Sequence, residues 1–340
     1  MNAVQYTDTR LFPGRTCLCL TALVTVLVQQ PLFAAEELLV PIIRGNWWTV
    51  AGDPDLGQFT DLKQQPVDFA IWQAIDGTWQ LWSCIRGTKI GGKTRLFHRW
   101  EGTTLTATNW RPLGMAMQAD AKYGETPGGL QAPFVLKRGK VFYQFYGDWE
   151  NICIATGSDG KNFARRTNAN GHTGLFSEGL GHNTRDPMVL LINDVWHCYY
   201  TAFPNGQGAV YGRTSKDTLA WSESRVVAFG GQAGTNAYSA ECPFVVETKP
   251  GHYYLFRTQR YGRDAKTSVY HSTNPLAFGL NEDEKYFVCT LQVAAPEILL
   301  HEGHYFMAAL LPSLKGIQMT RLEWLPQSKV RPKASSEKPE

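Results

Sequence analysis

Asp186-Pro187-Met188-Val189 is one of five copies of a short motif that recurs along the 340 residues of this chain. The other copies are Asp68-Phe69-Ala70-Ile71, Ala132-Pro133-Phe134-Val135, Cys242-Pro243-Phe244-Val245 and Ala295-Pro296-Glu297-Ile298. Successive copies lie roughly 53 to 65 residues apart, which is close to the range in which an internal repeat indicates stacked units of one architecture. The spacing therefore predicts a fold built from five similar units.

Each copy is followed by a turn and then by an aromatic-rich segment. Turns such as Asp76-Gly77 and Pro250-Gly251 supply the backbone conformations of tight hairpins. Segments such as Val195-Trp196-His197-Cys198-Tyr199-Tyr200 follow, and such residues fit a pleated strand. A third strand and a polar turn come next in most copies. This order predicts an all-β fold, a five-bladed β-propeller over residues 36–326 with its fourth strands in the variable segments. A β-sandwich has no reason to repeat so regularly.

Both ends of the chain differ from the repeats. Residues 1–35 have the pattern of a signal peptide, with arginines, an apolar run at 17–28 and the small pair Ala34-Ala35. The run is short for a membrane span, so we expect a periplasmic or secreted mature chain without a membrane partner. A retained anchor is the alternative. Residues 327–340 are rich in Lys, Ser and Pro, which predicts a disordered tail.

Charge and cysteine content exclude several classes. The formal net charge is only +3 and the basic residues are scattered, so no nucleic-acid partner is expected. Of the 7 cysteines, two lie in the predicted signal peptide, which leaves an odd number. There is no CxxC pair and no zinc-type histidine spacing. The sequence therefore predicts neither a disulfide framework nor a zinc catalyst. Separately, we expect the chain to be a monomer.

Acidic residues begin or precede three of the motif copies: Asp68, Asp186 and Glu241. If the motif marks the innermost strand of each blade, these side chains converge at the mouth of the central channel. Like charges at close range raise each other's pKa, and enzymes use this to separate a proton donor from an ionised partner. Glycoside hydrolysis needs that division of labour. The alternative is that each acid caps a turn or pairs with an arginine.

Two of these motif copies resemble known signatures. Arg185-Asp186-Pro187 and Glu241-Cys242-Pro243 resemble the RDP and EC motifs of glycoside hydrolase family 32. The repeat itself, and the Ser158-Asp159-Gly160 element before Phe163, resemble family 43. Both families are five-bladed propellers that carry an Asp, Asp, Glu triad on successive inner strands. The resemblance covers about residues 45–325.

The resemblance implies a role for each acid. Asp68 would be the general base, as in family 43, or the nucleophile, as in family 32. Asp186 would orient the substrate and tune the pKa of the acid. Glu241 would be the general acid, with Cys242 and Pro243 as apolar neighbours that favour its protonated form. Arg185 would bind sugar hydroxyls.

The sequence departs from family 32 in two respects. The Asn-Asp-Pro-Asn-Gly signature is missing, and Asp68 is followed by Phe69, so Asp53 and Asp55 are rivals for the first acid. We prefer Asp68, because its motif copy is followed by a hairpin and an aromatic strand like the others. Family 32 also usually carries a C-terminal β-sandwich, for which this chain ends too soon. Both departures favour family 43.

Further substrate-binding candidates surround the acids. Trp72 and Trp149 could stack on sugar faces, Arg257 could border the channel, and His182 and Asn183 could lie on the pocket rim. No cofactor is required and no metal ligand is predicted. Some related propellers hold a central metal ion through a His and water, and the sequence leaves that alternative open.

The sequence thus predicts a glycoside hydrolase that acts on a polysaccharide or oligosaccharide. One alternative is a non-catalytic carbohydrate-binding propeller, and another is a glycoside phosphorylase on the same fold. A sialidase would explain the Asp-box-like turn at residues 158–163, but it requires an arginine triad and a tyrosine nucleophile.

Overall fold

The structure is a computed structural model that describes residues 37–330. The predicted signal peptide and residues 331–340 lie outside the described residues. No helix within the described part of the chain is long and apolar enough to cross a membrane.

Strands dominate the chain. They are β1 (Leu39–Gly52), β2 (Gln65–Gln73), β3 (Trp79–Arg86), β4 (Leu96–Gly102), β5 (Arg111–Met117), β6 (Gln131–Arg138), β7 (Val141–Gly147), β8 (Ile152–Gly157), β9 (Ala164–Arg165), β10 (Gly174–Phe176), β11 (Arg185–Ile192), β12 (Val195–Ala202), β13 (Ala209–Ser215), β14 (Arg225–Ala228), β15 (Glu241–Lys249), β16 (His252–Arg260), β17 (Lys266–Ser272), β18 (Phe287–Leu291), β19 (Glu297–His301), β20 (His304–Leu310) and β21 (Gly316–Pro326). Two one-turn helices are α1 (Asp283–Tyr286) and α2 (Gln327–Val330), and short 3-10 turns occupy Gly57–Phe59, Ala121–Tyr123, Pro204–Gly206, Gly231–Ala233 and Gly262–Asp264.

These strands form five antiparallel sheets, which we number as blades. Blade I has the order β2-β3-β4-β5, blade II β6-β7-β8-β10 with β9 also on β8, blade III β11-β12-β13-β14, blade IV β15-β16-β17-β18, and blade V β19-β20-β21-β1. The first strands contact each other in the cycle β2, β6, β11, β15, β19 and back to β2. The prediction of an all-β, five-bladed propeller is therefore confirmed.

The hairpin turns lie where the sequence places them. Asp76-Gly77 joins β2 to β3, and Pro250-Gly251 joins β15 to β16. Three motif copies start at the second residue of β6, β11 and β15, one starts at the fourth residue of β2, and one starts two residues before β19. All five line the central channel.

Blade V is closed by the start of the described chain. β1 pairs antiparallel with β21 from Leu39↔Pro326 to Gly52↔Gly316, so the fourth strand of this blade comes from the other end of the sequence. The first residues of the predicted tail, Gln327–Val330, form α2 directly after β21. This long-range pairing is absent from the sequence prediction, which sought every fourth strand between the repeats.

Apolar side chains fill the spaces between blades. One large cluster joins blades I, II and V, and two others lie between blades II, III and IV. The described cysteines are unpaired, and three of them, Cys84, Cys153 and Cys198, are buried within strands. The ring of blades is therefore held by packing, which leaves the central end of the inner strands to position functional groups.

Candidate active site

The five equivalent residues at the start of the motif copies share an uncommon backbone conformation. They are Asp68, Ala132, Asp186, Cys242 and Ala295, with φ values of 43°, 40°, 56°, 44° and 48°. Residues other than glycine seldom adopt this left-handed region. In blades I to IV the strand pairing shifts at this point, as at a β-bulge. Such bulges re-aim side chains, and the residues at all five equivalent positions line the channel.

The channel itself is narrow. The motif residues of all five blades line a cavity of about 30 Å³, which has room for about one water. Asp68 and Asp186 are among the residues that line this channel, and Glu297 contributes a buried carboxyl group from blade V. The channel therefore brings carboxyl groups together without space for a sugar.

A larger pocket adjoins the channel, and Asp68 lines both. Its volume is about 280 Å³. Its wall consists of Asp68, Arg86, Arg95, Gln131, Trp149, Asn183, Arg185, Phe203, Tyr238, Glu241 and Tyr261. The pocket therefore combines two carboxylates, three guanidinium groups, two amides and four aromatic rings.

Asp68 is held by two uncharged donors. The thiol of Cys242 lies 3.1 Å from Asp68 Oδ1, and the hydroxyl of Tyr261 donates to the same oxygen over 3.3 Å. Burial raises the pKa of the Cys242 thiol well above its ordinary value, and the carboxylates of Asp68 and Asp186 raise it further. The thiol therefore keeps its proton and acts as a donor to Asp68 Oδ1.

Asp186 lines the channel and does not belong to the wall of the larger pocket. It is 3% exposed, its Oδ2 accepts the backbone N–H of Cys242 over 3.0 Å, and its Oδ1 has no partner among the described residues. Burial raises the pKa of Asp186 well above its ordinary range, and the charges of Asp68 and Glu241 raise it further. Asp186 therefore holds a proton more readily than an exposed carboxyl group does.

Glu241 is paired with Arg185. Arg185 Nη2 donates to Glu241 Oε1, and Arg185 Nε donates to Oε2 over 3.4 Å. Arg185 also donates to the carbonyl of Asn183 over 2.9 Å and lies over the ring of Phe203 at 5.3 Å. Burial would lower the pKa of Arg185, but the carboxylates of Glu241 and Asp186 outweigh it and raise that pKa.

This pairing differs from the expected surroundings of Glu241. The sequence placed Cys242 and Pro243 beside it as apolar neighbours. The thiol of Cys242 instead contacts Asp68, and the side chains of Cys242 and Pro243 line the channel. Glu241 lies on the wall of the larger pocket, whereas Cys242 lines the channel.

The surroundings of Asp53 and Asp55, the two rivals for the first acid, differ from those of Asp68. Asp53 accepts from Gln64 over 2.9 Å and from Lys315 over 3.0 Å, whereas Asp55 caps a turn through Gly57 N–H and the hydroxyl of Thr60. Neither belongs to the wall of the pocket, to which Asp68 belongs.

Two of the other candidates lie on the pocket wall. Asn183 is buried, and its Oδ1 has no partner within residues 37–330. Trp149 has φ 87°, an outlier for a bulky side chain, and such strain clusters at functional sites. Lys93 Nζ lies 4.6 Å, and Arg95 Cζ 5.1 Å, from the centre of the Trp149 ring.

Three candidates do not belong to this wall. Trp72 follows Asp68 by four residues, about 13 Å along a strand, and its indole N–H donates to the carbonyl of Gly160 at a packed blade interface. Arg257 is 1% exposed and donates to the carbonyls of Ser239, Gly230 and Gly234. The prediction of these two as pocket residues is corrected: both side chains pack within the propeller.

His182 is the third. Its Nδ1 contacts the carbonyl of Glu178 at 2.6 Å, and its own carbonyl accepts from Phe203 N–H. These bonds fix the loop that carries Asn183, so His182 supports the pocket without lining it.

Sequence reasoning missed seven residues of the site. They are Arg86, Arg95, Gln131, Phe203, Tyr238, Tyr261 and the thiol of Cys242. Cys242 could have been found, because it occupies the position of Asp68 and Asp186 in the repeat. Gln131 likewise precedes a motif copy, in the position of Arg185 and Glu241. Tyr261, Arg86 and Arg95 lie outside the motif, and only the folded chain brings them to it.

A central metal held by a histidine does not fit this channel, because no histidine is among its lining residues. The donor atoms of Asp68, Asp186 and Cys242 lie within 4.8 Å of one another and form the one such group found among the described residues. A cation there would have to displace the proton of the Cys242 thiol.

Comparison with known proteins shows the fold. No protein-family model and no curated protein matches the sequence. A thermostable family-43 glycoside hydrolase aligns with a TM-score of 0.59 and 16% identity over 77% of this chain and 90% of its own. A family 32 β-fructofuranosidase of Bombyx mori aligns with a TM-score of 0.56 and 16% identity over 81% of this chain and 62% of its own. This chain therefore spans less than two thirds of that protein. A family 117 glycoside hydrolase of the marine bacterium Zobellia galactanivorans aligns with a TM-score of 0.58 and 12% identity over 85% of this chain and 91% of its own. The chain thus has the five-bladed propeller fold expected from its resemblance to families 43 and 32, and these structural neighbours are glycoside hydrolases.

Proposed function

We propose that the chain is a glycoside hydrolase that acts on a polysaccharide or oligosaccharide. The observation that carries this proposal is that Asp68 of blade I and Glu241 of blade IV lie on the wall of one pocket. Glycoside hydrolysis requires two such carboxyl groups on either side of the scissile bond. The volume of about 280 Å³ is near the lower end for ligand pockets, and the aromatic wall suits the apolar faces of a sugar.

Asp68 is the base or nucleophile in this proposal. Its Oδ1 accepts from the Cys242 thiol and the Tyr261 hydroxyl, which orient the carboxyl group in the pocket. Both donors are uncharged, so neither forms an ion pair that would compete with the anomeric carbon or a water.

Asp186 is the orienting residue. Because its raised pKa lets it hold a proton more readily than an exposed carboxyl group does, it limits the negative charge beside Asp68. Its position, 3.8 Å from Arg185 Nε and in contact with the backbone of Cys242, links the two catalytic carboxyl groups.

Glu241 is the general acid, and its contact with Arg185 sets a condition on that role. A paired guanidinium stabilises the ionised carboxylate, whereas a general acid must first hold a proton. The bound sugar must therefore accept hydrogen bonds from Arg185, so that the contact between Arg185 and Glu241 loosens before proton transfer.

The test is hydrolysis across a panel of arabinosides, xylosides, galactosides and fructans, with Glu241→Gln beside the unchanged chain. We expect Glu241→Gln to lower turnover by at least about a hundredfold, because proton transfer contributes that much. A folded Glu241→Gln protein with full activity would remove Glu241 from the mechanism.

The contact between Arg185 and Glu241 favours a second candidate, a non-catalytic carbohydrate-binding propeller. In that case the ion pair is permanent and both groups bind sugar hydroxyls. Binding that persists in Glu241→Gln, without turnover in either protein, would support this candidate.

The cellular setting is part of the proposal. The N-terminal pattern described above supports export to the periplasm or the medium, and the scattered charge gives no reason to expect a nucleic-acid partner. We propose that the mature chain acts as a monomer on a carbohydrate, without a required cofactor.

A further inference from the structure

We propose that Arg86 and Arg95 form an oxyanion subsite in the pocket, so that its ligand includes a carboxylate, sulfate or phosphate group. The inference rests on the proposed function, because it concerns the substrate of the same pocket. The shared chemistry is an oxyanion, carried either by the sugar or by inorganic phosphate bound beside it.

The first argument is that these two guanidinium groups have no acidic partner. Arg185 is paired with Glu241, whereas Arg86 donates from Nε only to the neutral amide of Gln65, over 2.9 Å. The side chain of Arg95 makes no ion pair or hydrogen bond with another described residue and contacts the ring of Trp149. Their remaining N–H groups are therefore free to bind an anion in the fork geometry of arginine.

The second argument is their placement on one hairpin. β3 and β4 pair up to Ile85↔Leu96, so Arg86 and Arg95 are the next two facing positions. Like charges that face each other across a strand pair destabilise the sheet. An anion between them would convert this repulsion into two charge-assisted contacts.

The third argument is the charge of the wall. Glu241 is neutralised by Arg185, and Asp68 is the remaining carboxylate against Arg86 and Arg95. Asp186 lines the channel and is not part of this wall. Lys93, whose Nζ lies over Trp149, adds a further positive charge at the rim. The pocket therefore has an excess of positive charge next to its catalytic carboxyl groups.

The experiment uses binding, so that it does not depend on turnover. Inorganic sulfate and phosphate are titrated first, since they need no knowledge of the sugar. Matched methyl glycosides then follow, each as the neutral sugar, its uronate and its sulfate ester. The proteins are the unchanged chain, Arg86→Gln, Arg95→Gln, the more conservative Arg95→Lys, and Arg225→Gln, which removes an exposed arginine of blade III as a control.

We expect at least one acidic glycoside to bind about tenfold or more tightly than its neutral partner, as one charge-assisted contact would give. The preference should weaken at high salt, fall in both glutamine variants, fall less in Arg95→Lys and persist in Arg225→Gln. Equal binding of neutral and acidic partners, no binding of any oxyanion, or a preference that survives in Arg86→Gln and Arg95→Gln would overturn the subsite.

A parallel hydrolysis assay separates this result from the proposed function. Turnover of neutral glycosides alone, lost in Glu241→Gln, would keep the hydrolase and reject the subsite. Product formation only after phosphate is added would keep the subsite and replace hydrolysis by phosphorolysis. Oxyanion binding without any turnover would keep the subsite and favour the binding propeller.

Discussion

The thiol of Cys242 lies 3.1 Å from Asp68 Oδ1, across the central channel from blade IV to blade I. Cys242 occupies the same place in the repeat as Asp68, and both have a left-handed backbone. The five-fold repeat therefore places a donor and an acceptor at equivalent positions of different blades. The contact between Cys242 and Asp68 therefore follows from the repeat symmetry of the fold.

Replacement of Cys242 should lower activity, because its thiol helps to position Asp68. In Cys242→Ala, Asp68 retains only the hydroxyl of Tyr261 as a donor, so its carboxyl group is held less firmly. We expect kcat/KM to fall by up to about tenfold, as the loss of one hydrogen bond would give. Cys242→Ser, which keeps a donor, should retain most of the original activity.

The measurement is kcat/KM for the three proteins at one pH, with thermal unfolding as a check on the fold. Equal kcat/KM for Cys242→Ala and the unchanged chain would show that the thiol does not act on Asp68.

Gln131 should bind substrate. It is 1% exposed on the pocket wall, and neither its Oε1 nor its Nε2 has a partner among the described residues. Loss of a hydrogen bond to a ligand costs about 0.5–1.5 kcal/mol, so Gln131→Leu should raise the dissociation constant by up to about tenfold. Stability should stay equal or increase, because a buried group without a partner is removed.

Gln144 provides the matched control for this prediction. It lies on the neighbouring strand β7, is fully buried, and also lacks partners for both amide atoms within the described chain. Gln144→Leu should alter stability in the same direction without a change in ligand affinity. Equal loss of affinity in both variants would indicate a general effect of the substitution on blade II.

Much of the fold could be predicted because its signal is local and repeated. The motif copies, the turns such as Asp76-Gly77 and the aromatic strands each follow from short stretches of sequence. The closure of blade V by β1 could not, since Leu39–Gly52 and Gly316–Pro326 are joined only by the folded ring. Nothing within either segment identifies its partner.

The site was predicted less completely than the fold. Asp68, Asp186 and Glu241 belong to the repeat, and the structure brings them to one region. Trp72 was misplaced because residue type suggested stacking, whereas its distance along the strand removes it from the channel. Arg86 and Arg95 were overlooked because no sequence pattern relates the end of a hairpin in blade I to the acid of blade IV.

The ion pair between Arg185 and Glu241 should show strong coupling in stability. Arg185 is 3% exposed and Glu241 8% exposed, so removal of either partner leaves the other buried without it. Arg185→Met should therefore lower the free energy of unfolding by about 3–5 kcal/mol, and Glu241→Gln should also destabilise. The double variant should be more stable than the sum of the single changes predicts.

Urea unfolding of the four proteins measures this coupling. Additive effects would mean that the two side chains are solvated independently, and the condition that we place on proton donation by Glu241 would then lapse.

Glu297 should make the protein less stable as the pH rises. Its Oε2 accepts the backbone N–H of Ile71 over 3.1 Å, and burial raises the pKa of its carboxyl well above the ordinary 4.5. The folded chain therefore holds this proton more tightly than the unfolded chain. Above pH 4.5 the unfolded state releases the proton while the folded state retains it, so the free energy of unfolding falls with increasing pH. Glu297→Gln removes this dependence and keeps an acceptor for Ile71.

We expect Glu297→Gln and the unchanged chain to have similar stability near pH 4. The variant should then gain up to about 1.4 kcal/mol per pH unit, until the folded carboxyl itself ionises. Urea unfolding from pH 4 to 8 measures this difference, with Glu223→Gln as a control at an exposed carboxyl. A difference that is constant with pH would show that Glu297 titrates alike in both states. A variant that loses stability as the pH rises would mean that the charged carboxylate is stabilised in the channel, for example by a bound cation.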